Sequence, residues 1–410
     1  MPQSQKDESP FSRFFLSPAL IRAVNTLGFD APTPVQRQTI PPALEKRDIL
    51  ATAQTGTGKT VSYLLPLLEM LSRQGKVRSN HIRALILVPT RELASQIYDV
   101  LVQLSRYLKL TSTVVHGGVK INPQMMRLIR GRDILVATPG RLLDLYSKNA
   151  VQFNQMEYLV LDEADRMLNL GFRDEVQEIL SLIPRERQTL MFTATFSDEL
   201  RDMASALVRH PVEISIAQQD SPAELIEQKV YPVSRNRKSA LFLKMMHDEL
   251  WTQVLVFAKT KNRVDHLARK IEKTGFTVGV IHGDKSQGAR MKALAEFKAG
   301  RINVLVATDL ASRGLDINGL PLVLNYDMPH LKEDYIHRIG RTGRAGASGK
   351  ALSFVCLEEF QKLKDVERLI QQVIPREVVE GFQEDEVLPP TKLDLRPFKP
   401  KKPKKNKKKQ

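Results

Sequence analysis

The sequence predicts an α/β chain of two tandem domains, each a parallel sheet flanked by helices, followed by a disordered basic tail. Three observations predict it. Short, continuously apolar runs alternate with helix-length segments, the rhythm of parallel sheets buried on both faces. That rhythm breaks at a polar, proline-containing stretch and then restarts, and 410 residues exceed one ordinary domain but suit two. The expected parts are residues 1–217, a linker at 218–224, a second domain at 225–374, and a tail at 375–410.

Composition narrows the class. A hydrophobic content of 42% and a charged content of 26% are globular values. The single cysteine, Cys356, excludes an internal disulfide and fits a reducing, cytoplasmic setting. No stretch has the length of a membrane span, and the polar run Met1 to Pro10 lacks the apolar centre of a signal peptide. A formal net charge of +16, concentrated in the lysine-rich stretch Lys399 to Gln410, points to a polyanionic partner.

Residues Phe11 to Pro41 read as a helical preface, with Ser17-Pro18 opening one helix and Gly28 closing it. The proline turn Pro32-Thr33-Pro34 then delivers Gln36 to a fixed place. A glutamine amide pairs with the N6/N7 edge of adenine, although taken alone a surface residue after a proline turn is the favoured reading. The apolar run Asp48 to Ala51 is the first strand, and Ala53-Gln54-Thr55-Gly56-Thr57-Gly58-Lys59-Thr60 follows at its junction with a helix. Such a loop surrounds phosphates with backbone N–H groups. Lys59 reaches the terminal phosphates, and the Thr60 hydroxyl ligates Mg²⁺. Ala53 stands where the generic motif has its first glycine.

Further strands are expected at Ala84–Val88, Thr113–Val115, Asp133–Ala137, Tyr158–Leu161 and Thr189–Phe192. Polar clusters follow them: Thr90-Arg91, Gly117-Gly118, Thr138 with Arg141, Asp162-Glu163-Ala164-Asp165, and Thr193-Ala194-Thr195. Clusters at the carboxyl ends of parallel strands form a working surface. Asp162 is assigned to the cation opposite Thr60 and Glu163 to the attacking water. Asp165 either caps the following helix or links to Thr193 or Thr195. In the second half, strands are expected at Lys229–Tyr231, Val254–Phe257, Val278–Ile281, Val304–Ala307, Leu322–Leu324 and Ala351–Val355, without a second Gly-Lys-Thr loop. His337-Arg338-Ile339-Gly340-Arg341-Thr342-Gly343-Arg344 places Arg341 and Arg344 three apart, facing one side of a short helical segment.

Taken in order, Gln36, the loop from Ala53 to Thr60, Pro89 to Ala94, Thr138 to Arg141, Asp162 to Asp165 and His337 to Arg344 resemble the motif set of DEAD-box ATP-dependent RNA helicases, most nearly the bacterial RhlE type. The resemblance implies two RecA-like domains that close on ATP, Mg²⁺ and single-stranded RNA. It implies that Phe11 stacks on adenine, that Asp316 binds ribose, and that Arg341 and Arg344 are arginine fingers. RNA would lie across Thr90, Arg91, Gly118, Thr138 and Arg141, with Arg290 and Thr308 on the second domain, while His337 couples the domains. It further implies a cytoplasmic monomer with ribonucleoprotein or RNA-turnover partners. A DNA-directed translocase and an ATP-gated RNA clamp or annealing factor are the rival activities. Thr193 stands where the family usually has serine.

Overall fold

The computed structural model describes residues 9–53, 56–73, 75–195, 198–216, 226–309, 317, 319–343, 349–383 and 388–393. They form two compact units, one on each side of residues 217–225. The expected linker, Gln54, Thr55, Asp316, Arg344 and the lysine-rich end 394–410 lie outside the described residues.

The first unit opens with α1 (Pro18–Thr26) and α2 (Pro34–Leu44). Its strands are β1 (Ile49–Thr52), β2 (Ile82–Leu87), β3 (Ser112–Val115), β4 (Arg132–Ala137), β5 (Tyr158–Leu161), β6 (Gln188–Thr193) and β7 (Val212–Ser215). Between them run α3 (Lys59–Ser72), α4 (Arg91–Ser105), α5 (Asn122–Leu128), α6 (Pro139–Ser147), α7 (Ala164–Asn169), α8 (Arg173–Leu182) and α9 (Asp198–Leu207). The sheet is parallel throughout, in the order β3-β4-β2-β5-β6-β1-β7. Successive strand residues point to opposite faces, so each strand feeds two cores. Ile86, Val136 and Val160 pack on one face with Leu64 and Leu68 of α3, while Leu85, Leu135 and Leu159 pack on the other with Leu142 and Ile179. Double-sided burial is why these strands read as unbroken apolar runs. β7 departs from that pattern: as an edge strand it buries only Ile214. Its alternating Val-Glu-Ile-Ser gives no such run, and it was not among the expected strands.

The second unit repeats the plan with β8 (Ile226–Pro232), β9 (Val254–Phe257), β10 (Val278–Ile281), β11 (Val304–Ala307), β12 (Leu322–Asn325) and β13 (Gly349–Val355). Its helices are α10 (Lys238–Asp248), α11 (Lys261–Glu272), α12 (Gln287–Lys298), α13 (Lys332–Ile339) and α14 (Phe360–Ile370). The order β10-β11-β9-β12-β13-β8 is that of the first sheet without an equivalent of β7.

The tail expectation needs correction over 375–383 and 388–393, which are folded against this unit. Arg376 forms a parallel bridge with Val230 on the outer edge of β8, through Val230 N–H donating to Pro375 O at 2.8 Å and Glu377 N–H donating to Val230 O at 2.9 Å. Phe382 and Leu388 are buried, and Arg237 stacks on the Phe382 ring. The segment covers a sheet edge that would otherwise expose unpaired backbone groups. Proline punctuation and sparse apolar residues disguised it as tail.

Candidate active site and nucleic-acid interface

Gly58 caps α3 at φ 96°, and Gly56 lies at φ 84°, left-handed conformations that glycine adopts without strain. Lys59 is therefore the first residue of α3, where the helix dipole and unpaired N–H groups favour an anion. Its side chain is only 5% exposed, and its Nζ has no hydrogen-bond partner. The nearest carboxylate oxygen is Asp162 Oδ1, 4.0 Å away at the end of β5. A buried ammonium so poorly satisfied is costly unless an anion completes it. Thr60 is the next residue of the helix.

Asp162 is buried, and its Oδ1 accepts from Glu163 N–H at 2.9 Å while its Oδ2 accepts from the Tyr63 hydroxyl at 2.9 Å. Burial pushes its carboxyl above the usual range, Lys59 partly offsets this, and neighbouring Glu163 adds to it. A cation there would restore the ionised form. The pairing of one strand-end carboxylate with a helix-start hydroxyl, next to a phosphate-seeking lysine, fits Mg²⁺, which binds through few protein ligands and substrate phosphates. Among the described residues, no cluster of three or more His, Cys, Asp or Glu forms a self-sufficient metal site. Burial also pushes the Tyr63 hydroxyl well above its ordinary range, and adjacent Asp162 adds to that.

Glu163 occupies a left-handed backbone conformation at φ 53°, a strained setting for a non-glycine residue. Arg166 Nη1 donates to its Oε2 at 2.6 Å, which fixes the carboxylate one turn into α7. The expected link to Thr195 is present, whereas the cap position of α7 is held by Glu163 rather than by Asp165. Asp165 Oδ1 accepts from Arg166 N–H at 3.0 Å near the start of α7, and its Oδ2 accepts from Thr195 N–H and Oγ1 at 3.0 and 2.8 Å. Thr193 is fully buried and donates to Thr195 O at 2.6 Å, so Asp165, Thr195 and Thr193 form one connected group.

Gln36 is tied to the phosphate loop. Its Oε1 accepts from Thr33 N–H at 3.0 Å and its Nε2 donates to Gly58 O at 3.2 Å, which leaves one lone pair and one N–H for a ligand. A Cβ at Gly58 would lie 2.6 Å from Gln36 Nε2, so this contact requires glycine. Phe11 departs from the expectation. It is fully buried beneath the preface, edge-on to Phe14 with ring centroids 6.0 Å apart, and shows no open face for stacking on adenine.

The ends of β2, β3 and β4, three neighbouring strands, carry the other group. Thr90 caps α4, accepting from Leu93 N–H at 3.3 Å, and Thr138 occupies the same position before α6. The Arg91 guanidinium lies against Gly118, which sits at φ 80°; a Cβ there would come within 1.8 Å of Arg91 Nη1. Arg141 Nη2 donates to Val119 O at 3.1 Å, while its Nε and Nη1 have no hydrogen-bond partner. Thus the structure gathers Thr90, Arg91, Gly118, Thr138 and Arg141 on one half of the carboxyl edge, and Gly58, Lys59, Asp162, Glu163 and Thr193 on the other.

In the second unit, Arg290 is buried on α12 and Thr308 directly follows β11, both on the β10–β11 side of the sheet. His337 is half-buried on α13. Arg341 does not continue that helix, because α13 ends at Ile339; it is buried in the following turn, with its carbonyl accepting from Leu320 N–H. The best-anchored arginine nearby is one the sequence did not single out. Arg338 makes a bidentate pair with Asp309 at 2.6 and 2.7 Å and donates to Asn325 Oδ1 and Asp327 O. Tyr63 and Arg166 were also missed. Their signal was spacing, since Tyr63 follows Lys59 by four residues and Arg166 follows Glu163 by three, both same-face intervals on a helix.

Residues 33–203 match the family model described as DEAD/DEAH box helicase, and residues 237–346 match the helicase conserved C-terminal domain. The ATP-dependent RNA helicase CshA of Listeria monocytogenes is 43% identical over 357 residues, covering 87% of this chain and 68% of that protein. The Bacillus subtilis DEAD-box ATP-dependent RNA helicase CshA is 38% identical, with 91% and 76% covered. Against DEAD-box ATP-dependent RNA helicase 40 of Arabidopsis thaliana the identity is 44%, but the chain spans only 34% of that longer protein. Among solved structures, S. cerevisiae Dbp5 bound to RNA and ADP BeF3 superposes with a TM-score of 0.80 at 29% identity, covering 91% of this chain and 96% of that one. Mss116p bound to ssRNA and AMP-PNP gives a TM-score of 0.80 at 28% identity, covering 93% and 82%.

Proposed function

Because the chain belongs to the DEAD-box ATP-dependent RNA helicases, we propose that it is an RNA-stimulated ATPase that locally separates short RNA duplexes. One observation carries the reading: the buried Lys59 Nζ, at the start of α3 and 4.0 Å from Asp162, has no hydrogen-bond partner of its own. A terminal phosphate supplies the missing partner.

In this reading the N–H groups of the loop ending in Gly56, Thr57 and Gly58 hold the phosphate chain, and Gln36 reads the adenine edge with its remaining donor and acceptor. Thr60 and Asp162 would hold Mg²⁺, which when bound would supply positive charge to the phosphate chain. Glu163 orients a water and accepts its proton as the water oxygen bonds to the γ-phosphorus and the bond to the ADP oxygen breaks. Arg341 and Arg344 from the second unit then balance charge on the transferred phosphoryl group. Single-stranded RNA crosses Thr90, Arg91, Gly118, Thr138 and Arg141, and Arg290 and Thr308 extend the track. Contacts to phosphate and sugar of this kind carry no base sequence. The group of Asp165, Thr193 and Thr195, with His337, couples nucleotide state to RNA grip. ATP and RNA each favour the closed state, so each tightens the other's binding.

A monomer acting in the cytoplasm, with an RhlE-type specialisation and ribonucleoprotein or RNA-turnover partners, completes the proposal. No described helix is long and apolar enough to cross a membrane. The test is steady-state ATPase without nucleic acid, with ssRNA and with ssDNA, using Glu163→Gln as background. Stimulation by RNA alone is expected. Equal stimulation by DNA would replace the reading with a translocase, and no stimulation by either, with annealing in the absence of ATP, would replace it with a clamp.

A further inference from the structure

We infer that Tyr63 is a positioning residue for the nucleotide-associated cation, tethering the carboxylate that would hold it. The inference rests on the reading of Asp162 and Thr60 as the cation's ligands. Tyr63 is fully buried on α3, four residues and one helical turn beyond Lys59, and its ring packs on Phe192 of β6 with centroids 5.2 Å apart. Its hydroxyl donates to Asp162 Oδ2 at 2.9 Å. A phenol oxygen carried on α3 is therefore bonded to the carboxylate at the end of β5.

The bond does two things. It occupies Oδ2, so that Oδ1 is the oxygen facing Lys59 Nζ at 4.0 Å. It also fixes the carboxylate plane against a ring that the β6 core holds rigid. Outer partners of this kind orient a metal-binding carboxylate before the metal arrives, and their loss weakens metal affinity while the ligands themselves stay in place.

The experiment measures the affinity of fluorescent mant-ADP in Mg²⁺ and in EDTA, giving the factor by which Mg²⁺ tightens binding. Tyr63→Phe removes one oxygen and keeps the ring, so the fold is retained, and a thermal melt verifies this. The expected result is a Mg²⁺ factor reduced by about tenfold, with the EDTA affinity held within about twofold. Phe192→Leu, which loosens the packing but keeps the hydroxyl, is expected to lower the melting temperature and leave the factor intact. An unchanged factor in Tyr63→Phe, or an equal loss in Phe192→Leu, would overturn the inference. Asp162→Asn separates this from the underlying reading: if that variant keeps the full Mg²⁺ factor, Asp162 is not a cation ligand, and the reading itself falls.

Discussion

Two lysines occupy the same station in the two units and have opposite fates. Lys59 and Lys238 are each the first residue of the helix that follows the equivalent strand, β1 or β8. Each approaches an aspartate just beyond the equivalent strand end, Asp162 after β5 and Asp327 after β12. Lys238 is fully buried and saturated: its Nζ donates to Tyr326 O at 2.8 Å, Phe354 O at 2.9 Å and Glu359 Oε2 at 2.5 Å, with Asp327 at 3.5 Å. Lys59 is almost as deeply buried and has none of these bonds. The backbone explains the difference. Gly58 precedes Lys59 in a left-handed conformation, whereas Arg237 precedes Lys238 with ordinary helical angles. One unit leaves its buried lysine without a hydrogen-bond partner, and the other uses it as an internal staple.

Exchanging each lysine for methionine breaks the comparison most directly. Lys238→Met leaves Glu359 buried without its cation, while Asp327 keeps Arg263 at 3.0 Å, and a loss of about 3–5 kcal/mol in the second unit's stability is expected in denaturant unfolding. Nucleotide affinity of the folded protein should be unchanged. Lys59→Met should do the reverse, abolishing nucleotide binding while shifting the unfolding midpoint little, since no hydrogen bond is lost.

Within the first unit, Glu163→Gln should retain ATP and RNA binding and lose about 10²–10³-fold in kcat, measured by single-turnover ATPase. Gly118→Ala forces a Cβ onto Arg91 at a left-handed backbone position. RNA stimulation should fall while RNA-free ATPase persists, at a cost of about 1–3 kcal/mol in RNA affinity by titration.

Acid sharpens the contrast from the other side. Burial alone would raise the Glu359 carboxyl, but the Lys238 ammonium holds it below the usual carboxylate range. A depressed native pKa stabilises the fold above the ordinary carboxylate value, and that contribution is lost as pH falls through the native value. The second unit should therefore lose stability on acidification, and Lys238→Met should flatten that dependence in melts followed from neutral to acidic pH. The smallest effect is expected from Thr193→Ser, which keeps the hydroxyl bonded to Thr195 O and removes only a methyl. It should alter unwinding more than ATPase, and equal changes in both would count against a coupling role.

The central strands of both sheets were legible in the sequence because burial on two faces leaves apolar runs that no surface element shares. The phosphate loop and the clusters at the strand ends were legible because glycine, lysine and paired carboxylates have few other reasons to meet at strand ends. What escaped depends on distance along the chain. Nothing near Lys238 announces Glu359, which lies 121 residues away, or the Tyr326 and Phe354 carbonyls. The segment at 375–383 and 388–393 hid for a related reason. Its anchors, Phe382 and Leu388, are single residues whose value appears only against the edge of β8. The adenine-stacking role of Phe11 came from the family resemblance alone, which carries no information that the ring is fully buried beside Phe14.

The most direct measurement is calorimetric titration of Mg²⁺ and AMP-PNP into the wild-type protein, Lys59→Met and Lys238→Met in parallel. The account predicts saturable binding to wild type and Lys238→Met and none to Lys59→Met. Binding retained by Lys59→Met, with loss in Lys238→Met at a temperature where that variant is folded, would contradict it.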